Sequence, residues 1–188
     1  MHRLFWFLSL LLIFLSGCQM APSPQEAPRD PATLTHWQAQ GRFAYKTPED
    51  GGSATVRWQQ HDQQGELRFS GPMGFGSAEL QWSPHHATLI TNKGEFSAPN
   101  AEALAFELTG LPLPAEALVY WLRGLPWPHA PAQKHQGEPH PHGLEQLGWS
   151  VEYDRWKQVQ GYWLPHRLKA KHAHNTFTLV IQQWIPAP

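Results

Sequence analysis

The chain runs to 188 residues, with 14 lysines and arginines against 15 aspartates and glutamates and a formal net charge of −1. It has no basic cluster that could neutralise a row of phosphates, which excludes nucleic acid as a partner. The single cysteine, Cys18, excludes an internal disulfide, so burial must hold the fold together, and the length suits one domain with a sizeable core.

The first element is a leader. A charged start (His2, Arg3), an apolar run over residues 4–14 and Leu15-Ser16-Gly17 ahead of Cys18 read as a secretory signal peptide over residues 1–17. The apolar run, about 11 residues, falls short of the roughly 20 that an ordinary transmembrane helix needs. Its ending resembles the bacterial lipoprotein signal, in which the cysteine is lipidated and becomes the first residue of the mature chain. Residues 18–35 then read as the lipidated Cys18 and a flexible tether, because Pro22, Pro24, Pro28 and Pro31 among Ser and Gln favour a solvated, extended linker. The folded domain is expected over residues 36–188.

From Trp37 the pattern has period two. Trp37, Ala39, Gly41, Phe43 and Tyr45 share one face of a strand, opposite Gln38, Gln40 and Arg42. After the turn Pro48-Glu49-Asp50-Gly51-Gly52 a second strand is predicted over 53–61, with Ala54, Val56 and Trp58 on one face. Leu67 and Phe69 mark a third, Ala78, Leu80 and Trp82 a fourth, residues 88–92 a fifth and 95–98 a sixth. Short strands separated by turn signals predict an antiparallel meander.

The period then changes. Asn100 is a good helix N-cap, and Ala101, Leu104, Ala105 and Leu108 repeat at helical spacing before Gly110. Pro114 opens a second helix carrying Leu118, Trp121 and Leu122, stopped by Gly124. Residues 125–143 read as loop, because Pro126, Pro128, Pro131, Pro139 and Pro141 do not suit helix or central strand. Strands are predicted again over 149–153, 156–159, 164–171 and 176–185. In the last, Phe177, Leu179 and Ile181 face away from Val180 and Trp184. The predicted fold is mainly β, with helices inserted: one curved antiparallel sheet of about ten strands. A sheet of that width must curl, and its concave apolar face needs cover.

Catalytic and metal patterns are absent. His129, His135, His140 and His142 crowd the proline-rich segment but lack HExxH spacing or a cysteine partner, and they read as a solvated loop without metal. The glycines of Gly71-Pro72-Met73-Gly74-Phe75-Gly76 match neither a dinucleotide fingerprint nor a Walker motif, and no nucleophile elbow is present. No cofactor is expected, and the chain does not read as an enzyme. The tip residues Met73 and Phe75 are unusual instead: a tight turn normally carries polar residues. The flanking proline and glycines leave Met73 little room to fold inward, and an exposed apolar tip suits a membrane or a partner.

Taken in order, several segments resemble the LolB family, the outer-membrane lipoprotein receptors of the Lol sorting pathway. They are Gly41-Arg42-Phe43-Ala44-Tyr45, Trp58-Gln59-Gln60, Gly71-Pro72-Met73-Gly74 with Ala78-Glu79-Leu80, and Asn92-Lys93-Gly94. Leu108-Thr109-Gly110-Leu111-Pro112-Leu113-Pro114, Trp121-Leu122-Arg123-Gly124-Leu125-Pro126, Gly148-Trp149-Ser150-Val151 and residues 181–184 follow. The resemblance implies an unclosed half-barrel with a helical lid, whose apolar cavity accepts the acyl chains of lipoproteins from a LolA-like periplasmic carrier. It implies a protein lipid-anchored at the periplasmic face of the outer membrane, into which it inserts its cargo, and a monomer. Gln19, where an aspartate would signal inner-membrane retention, agrees with that destination. The family's projecting apolar residue falls on Met73, giving it the role of membrane insertion; Phe75 beside it either joins that role or folds back into the core. Trp58, Phe69, Leu80, Trp82, Leu118, Trp121 and Leu122 are the residues expected to line or cover the cavity. A second reading keeps the anchor and the sheet but fills the core, giving a structural envelope lipoprotein with no ligand.

Overall fold

The computed structural model describes residues 27–71, 77–109 and 113–187. Eleven strands form one antiparallel sheet: β1 (His36–Lys46), β2 (Gly51–His61), β3 (Gln64–Ser70), β4 (Ala78–Ser83), β5 (His86–Thr91), β6 (Gly94–Ala98), β7 (Ala132–His135), β8 (Gly143–Gln146), β9 (Trp149–Val159), β10 (Tyr162–His172) and β11 (Asn175–Pro186). Their spatial order is β6-β5-β4-β3-β2-β1-β11-β10-β9-β8-β7. The first six strands walk outward from β1, the last five return toward it, and the β1–β11 pair joins the two halves. β6 and β7 are the two ends of the sheet and do not pair, so the barrel stays open along that seam.

The helices belong to the chain that crosses from one free edge to the other. α1 (Ala101–Thr109) begins where Asn100 Oδ1 accepts the amide of Ala103 at 2.8 Å, a side-chain N-cap. Its buried Ala101 and Leu104 pack on Ala87, Leu80 and Leu89 of the sheet. α2 (Ala115–Trp121) starts at Pro114, where a missing N–H costs nothing, and buries Ala117, Val119 and Trp121. Both helices therefore turn their apolar sides to the concave face.

Three features of the strands differ from the sequence reading. The proline-rich segment is not all loop: β7 fits between Pro131 and Pro139 and pairs with β8, at the sheet edge where prolines nearby are tolerated. Residues 149–153 and 156–159 belong to one strand, β9, in which Arg155 takes a positive φ of 59°. In β11, Trp184 lies on the same side as Ile181, not opposite. The β1–β11 register skips Gln182, between the pairs Gly41–Ile181 and Gln40–Gln183, and one extra residue reverses the alternation. Trp184 thereby packs edge-on against Trp37, ring centres 5.1 Å apart. Gly41 makes this possible, since a Cβ there would overlap the Val180 carbonyl.

Residues 29–34, inside the segment read as tether, are docked on the domain. The amide of Arg29 donates to the Gly161 carbonyl at 2.8 Å, Pro31–Thr33 form a 3-10 turn, and Leu34 is buried. Buried Arg123 holds this stretch, donating to the carbonyls of Leu34 at 2.6 Å and Pro31 at 3.2 Å, and to that of Val119 in α2. Burial pushes its guanidinium pKa down, and the carbonyl dipoles take the place of a carboxylate partner.

Candidate functional site

A domain of this size usually has one contiguous core. Among the described residues, the buried apolar side chains fall into three clusters. One gathers Trp37, Trp58, Leu164, Ile181 and Trp184; a second Trp121, Trp149, Val151 and Leu168; a third Ala87, Ala101 and Leu104. Between them lies a cavity of about 560 Å³ that touches members of all three. That volume is in the roughly 300–1,000 Å³ range of ligand pockets.

The cavity exists because the concave side chains of the central strands point at one another across space that the helices cover without filling. Phe43, Leu67, Phe69, Leu80, Trp82, Leu89, Leu118 and Phe177 face it and are only half-buried. Concave residues of the same kind at the opposite end, such as Trp37 and Leu164, are fully buried. The hollow therefore lies toward the sheet end formed by the 47–50 hairpin, the end of β3, the beginning of β4 and the start of β11.

All seven residues expected to line or cover a cavity do border this one: Trp58 from β2, Phe69 from β3, Leu80 and Trp82 from β4, Leu118 and Trp121 from α2, and Leu122 just after it. Trp58 and Trp82 meet edge to face at 5.7 Å. Gly65 lets the Trp82 ring lie flat over β3, because a Cβ there would overlap the indole. Phe43, Leu67, Leu89, Phe177 and Leu179 also line it and were not among those expected. The parity of β1 placed Phe43 with Trp37 on one face, which was a usable signal. Phe177 and Leu179 depended on the long-range β1–β11 pairing. Cys18, Met73 and Phe75 lie outside the described residues. The strands that flank Met73 and Phe75 end on the cavity: Phe69 and Ala78 pair across β3 and β4, and both line it.

The lid is held by buried polar groups that carry no sequence motif. The side-chain carbonyl of Gln146 accepts the indole N–H of Trp121 and the amide of Trp127, both at 2.8 Å. Its amide nitrogen donates to the carbonyls of Trp127 and Ala130. Four bonds from one side chain fasten α2 to the start of the proline-rich segment. That segment is packed further along: the His140 ring lies on Trp163 at 4.5 Å and Trp156 at 4.9 Å, and burial lowers its pKa. His135 instead sits 3.7 Å from Glu145. No metal-ligand cluster occurs among the described residues.

A family model described as outer membrane lipoprotein LolB matches residues 35–184. The outer-membrane lipoprotein LolB of a Pseudomonas fluorescens strain is 38% identical over 81% of this chain and 76% of its own length. That of Chromohalobacter salexigens is 35% identical, covering 95% of this chain and 89% of the relative. Among solved structures, a LolA superfamily protein from Nitrosomonas europaea superposes with a TM-score of 0.55 over 83% of this chain and 88% of that one. At 6% identity, that likeness shows a shared fold.

Proposed function

The chain belongs to the LolB family of outer-membrane lipoproteins, and from that footing we propose that its cavity receives the acyl chains of lipoproteins handed over by a LolA-like carrier. The family is one of lipoprotein-sorting receptors of the outer membrane, not of enzymes. One observation carries the finer reading: eight large apolar side chains face inward yet remain half-buried around 560 Å³ of space. A structural lipoprotein with a filled core would bury them.

The energetics suit a relay that uses no nucleotide. Each CH₂ leaving water gains about 0.8 kcal/mol, so one acyl chain is worth on the order of 10 kcal/mol and must stay covered in transit. Transfer then needs only a graded preference among carrier, receptor and bilayer, with about 1.4 kcal/mol for every tenfold. Cys18 supplies the lipid anchor at the periplasmic face. Residues 72–76, between β3 and β4 whose adjoining ends border the cavity, supply Met73 and Phe75 for contact with the membrane. Full burial of a methionine contributes about 1.5–3 kcal/mol, enough for a probe and too little for an anchor. The receptor is read as a monomer, with the cavity lined by residues of one chain.

Met73→Glu tests the division of labour. The variant is expected to capture acyl chains from the carrier normally and to stop delivering them to outer-membrane vesicles. Normal delivery by this variant would remove the membrane role of the turn; loss of capture would place Met73 in acyl binding instead.

A further inference from the structure

Among the described residues, the lining of the cavity holds a single charged side chain, Asp50. The other polar residues of the lining are Tyr45, Thr47, Ser53 and Thr178, and all five lie at the same end, on the β1–β2 hairpin and the start of β11. The cavity is thus polar at its mouth and apolar elsewhere, the polarity of an acyl chain with its head.

The carboxylate is held in position. The Tyr45 hydroxyl donates to Asp50 Oδ2 at 2.8 Å and the Gly51 amide to Oδ1 at 2.7 Å. These bonds hold its pKa below the usual aspartate value, the tyrosine hydroxyl contributing most. The turn is fixed by Thr47, whose Oγ1 accepts the Asp50 amide at 3.0 Å. The Tyr45 ring lies against Gly52, where even a Cβ would meet its Cε1 at 2.9 Å. Lys46 belongs to the opposite face of β1 by strand alternation.

We infer that Asp50 is a selectivity residue at the cavity mouth, admitting acyl chains borne on an N-acylated peptide and disfavouring those borne on an anionic head. The inference rests on the acyl-binding reading and adds which amphiphile the site accepts. A fixed carboxylate accepts hydrogen bonds and donates none. An acylated peptide N-terminus presents amide N–H donors and no anion next to its chains. An anionic phospholipid or a free fatty acid brings its charge to the same place as the chain enters, and like charges held in one site repel. In a bilayer-bound receptor surrounded by phospholipid, this contrast keeps the cavity free for cargo.

The test compares Asp50, D50N and D50K in the full chain in neutral detergent. Asparagine keeps the acceptor for Tyr45 and removes the charge; lysine reverses it. Two probes carry the same brominated acyl chains, one a triacylated lipopeptide and one a phosphatidylglycerol. Bound bromine quenches the tryptophans that line the cavity, Trp58, Trp82, Trp121 and Trp149. The ratio of lipopeptide to phosphatidylglycerol affinity is expected to fall roughly fivefold in D50N and further in D50K. An unchanged ratio in both variants, with both probes binding, overturns the selectivity role. Quenching of the unaltered chain by neither probe overturns the acyl-binding reading itself.

Discussion

Trp121, the last residue of α2, donates its indole N–H to the side-chain oxygen of Gln146 on β8 across 2.8 Å, with both groups buried. The same glutamine holds Trp127 and Ala130, so one side chain joins the lid helix, the sheet edge and the segment between them. Gln146→Leu strands the indole N–H, the Trp127 amide and two carbonyls in buried surroundings. At about 1–3 kcal/mol for each stranded group, relieved in part by water, the variant is expected to lose about 3 kcal/mol. A urea-denaturation midpoint equal to that of the unaltered chain would show that the lid is held by apolar packing alone.

The bulge beside Gly41 sets the face on which Trp184 lies. Gly41→Ala drives a methyl group into the Val180 carbonyl and is expected to cost about 3 kcal/mol. Because the bulge directs Trp184 toward Trp37, near-ultraviolet circular dichroism is expected to change together with stability. A variant with unaltered spectrum and midpoint would mean that β11 can slip without penalty.

Truncations can tell a filled region from an empty one. Leu164 is fully buried, so Leu164→Ala is expected to cost about 2–5 kcal/mol. Leu80 is half-buried and borders the cavity; Leu80→Ala removes fewer contacts and is expected to cost about 1 kcal/mol. Acyl binding should show the reverse order, weakened by Leu80→Ala and spared by Leu164→Ala. Equal stability losses would indicate that the hollow closes in solution.

His166 makes stability depend on pH. Its Nδ1 lies 2.9 Å from the Ile181 carbonyl, its Nε2 is buried without a partner, and burial pushes its pKa below the ordinary 6.5. The folded state therefore takes up a proton less readily than the unfolded state. Above about pH 6.5 neither form is charged and the residue adds no slope. As pH falls below 6.5 the unfolded chain binds the proton first, and stability drops until the folded pKa is passed. His166→Phe is expected to flatten this slope between pH 6.5 and 5; an identical slope would assign it to other groups, such as His140, whose pKa is also lowered.

Much of this architecture can be read from local sequence. Period-two alternation gives the strands of the first half, the N-cap at Asn100 and proline at 114 give the helices, and apolar parity groups Trp58, Phe69, Leu80 and Trp82 with their strand neighbours without saying which face is concave. What stays hidden depends on residues far apart in the chain. The skipped Gln182 that turns Trp184 inward exists only relative to β1, about 140 positions away. β7 forms between prolines because it is the free edge strand, a property of topology rather than composition. Gln146 lies in no segment that the sequence singles out, and Arg123 lies in one that gives it no role; each matters because the fold brings several carbonyls around it.

Site-specific photocrosslinking in cells, using the full chain and cargo with labelled acyl chains, tests the central claim most directly. Crosslinkers replacing Leu118, Phe69 or Leu89, which face the hollow, are expected to capture the label during transfer. Those replacing Arg57 or Ile90, on the outer face, are expected to capture none. Labelling that is equal on the two faces, or confined to the outer one, would contradict an acyl-binding cavity.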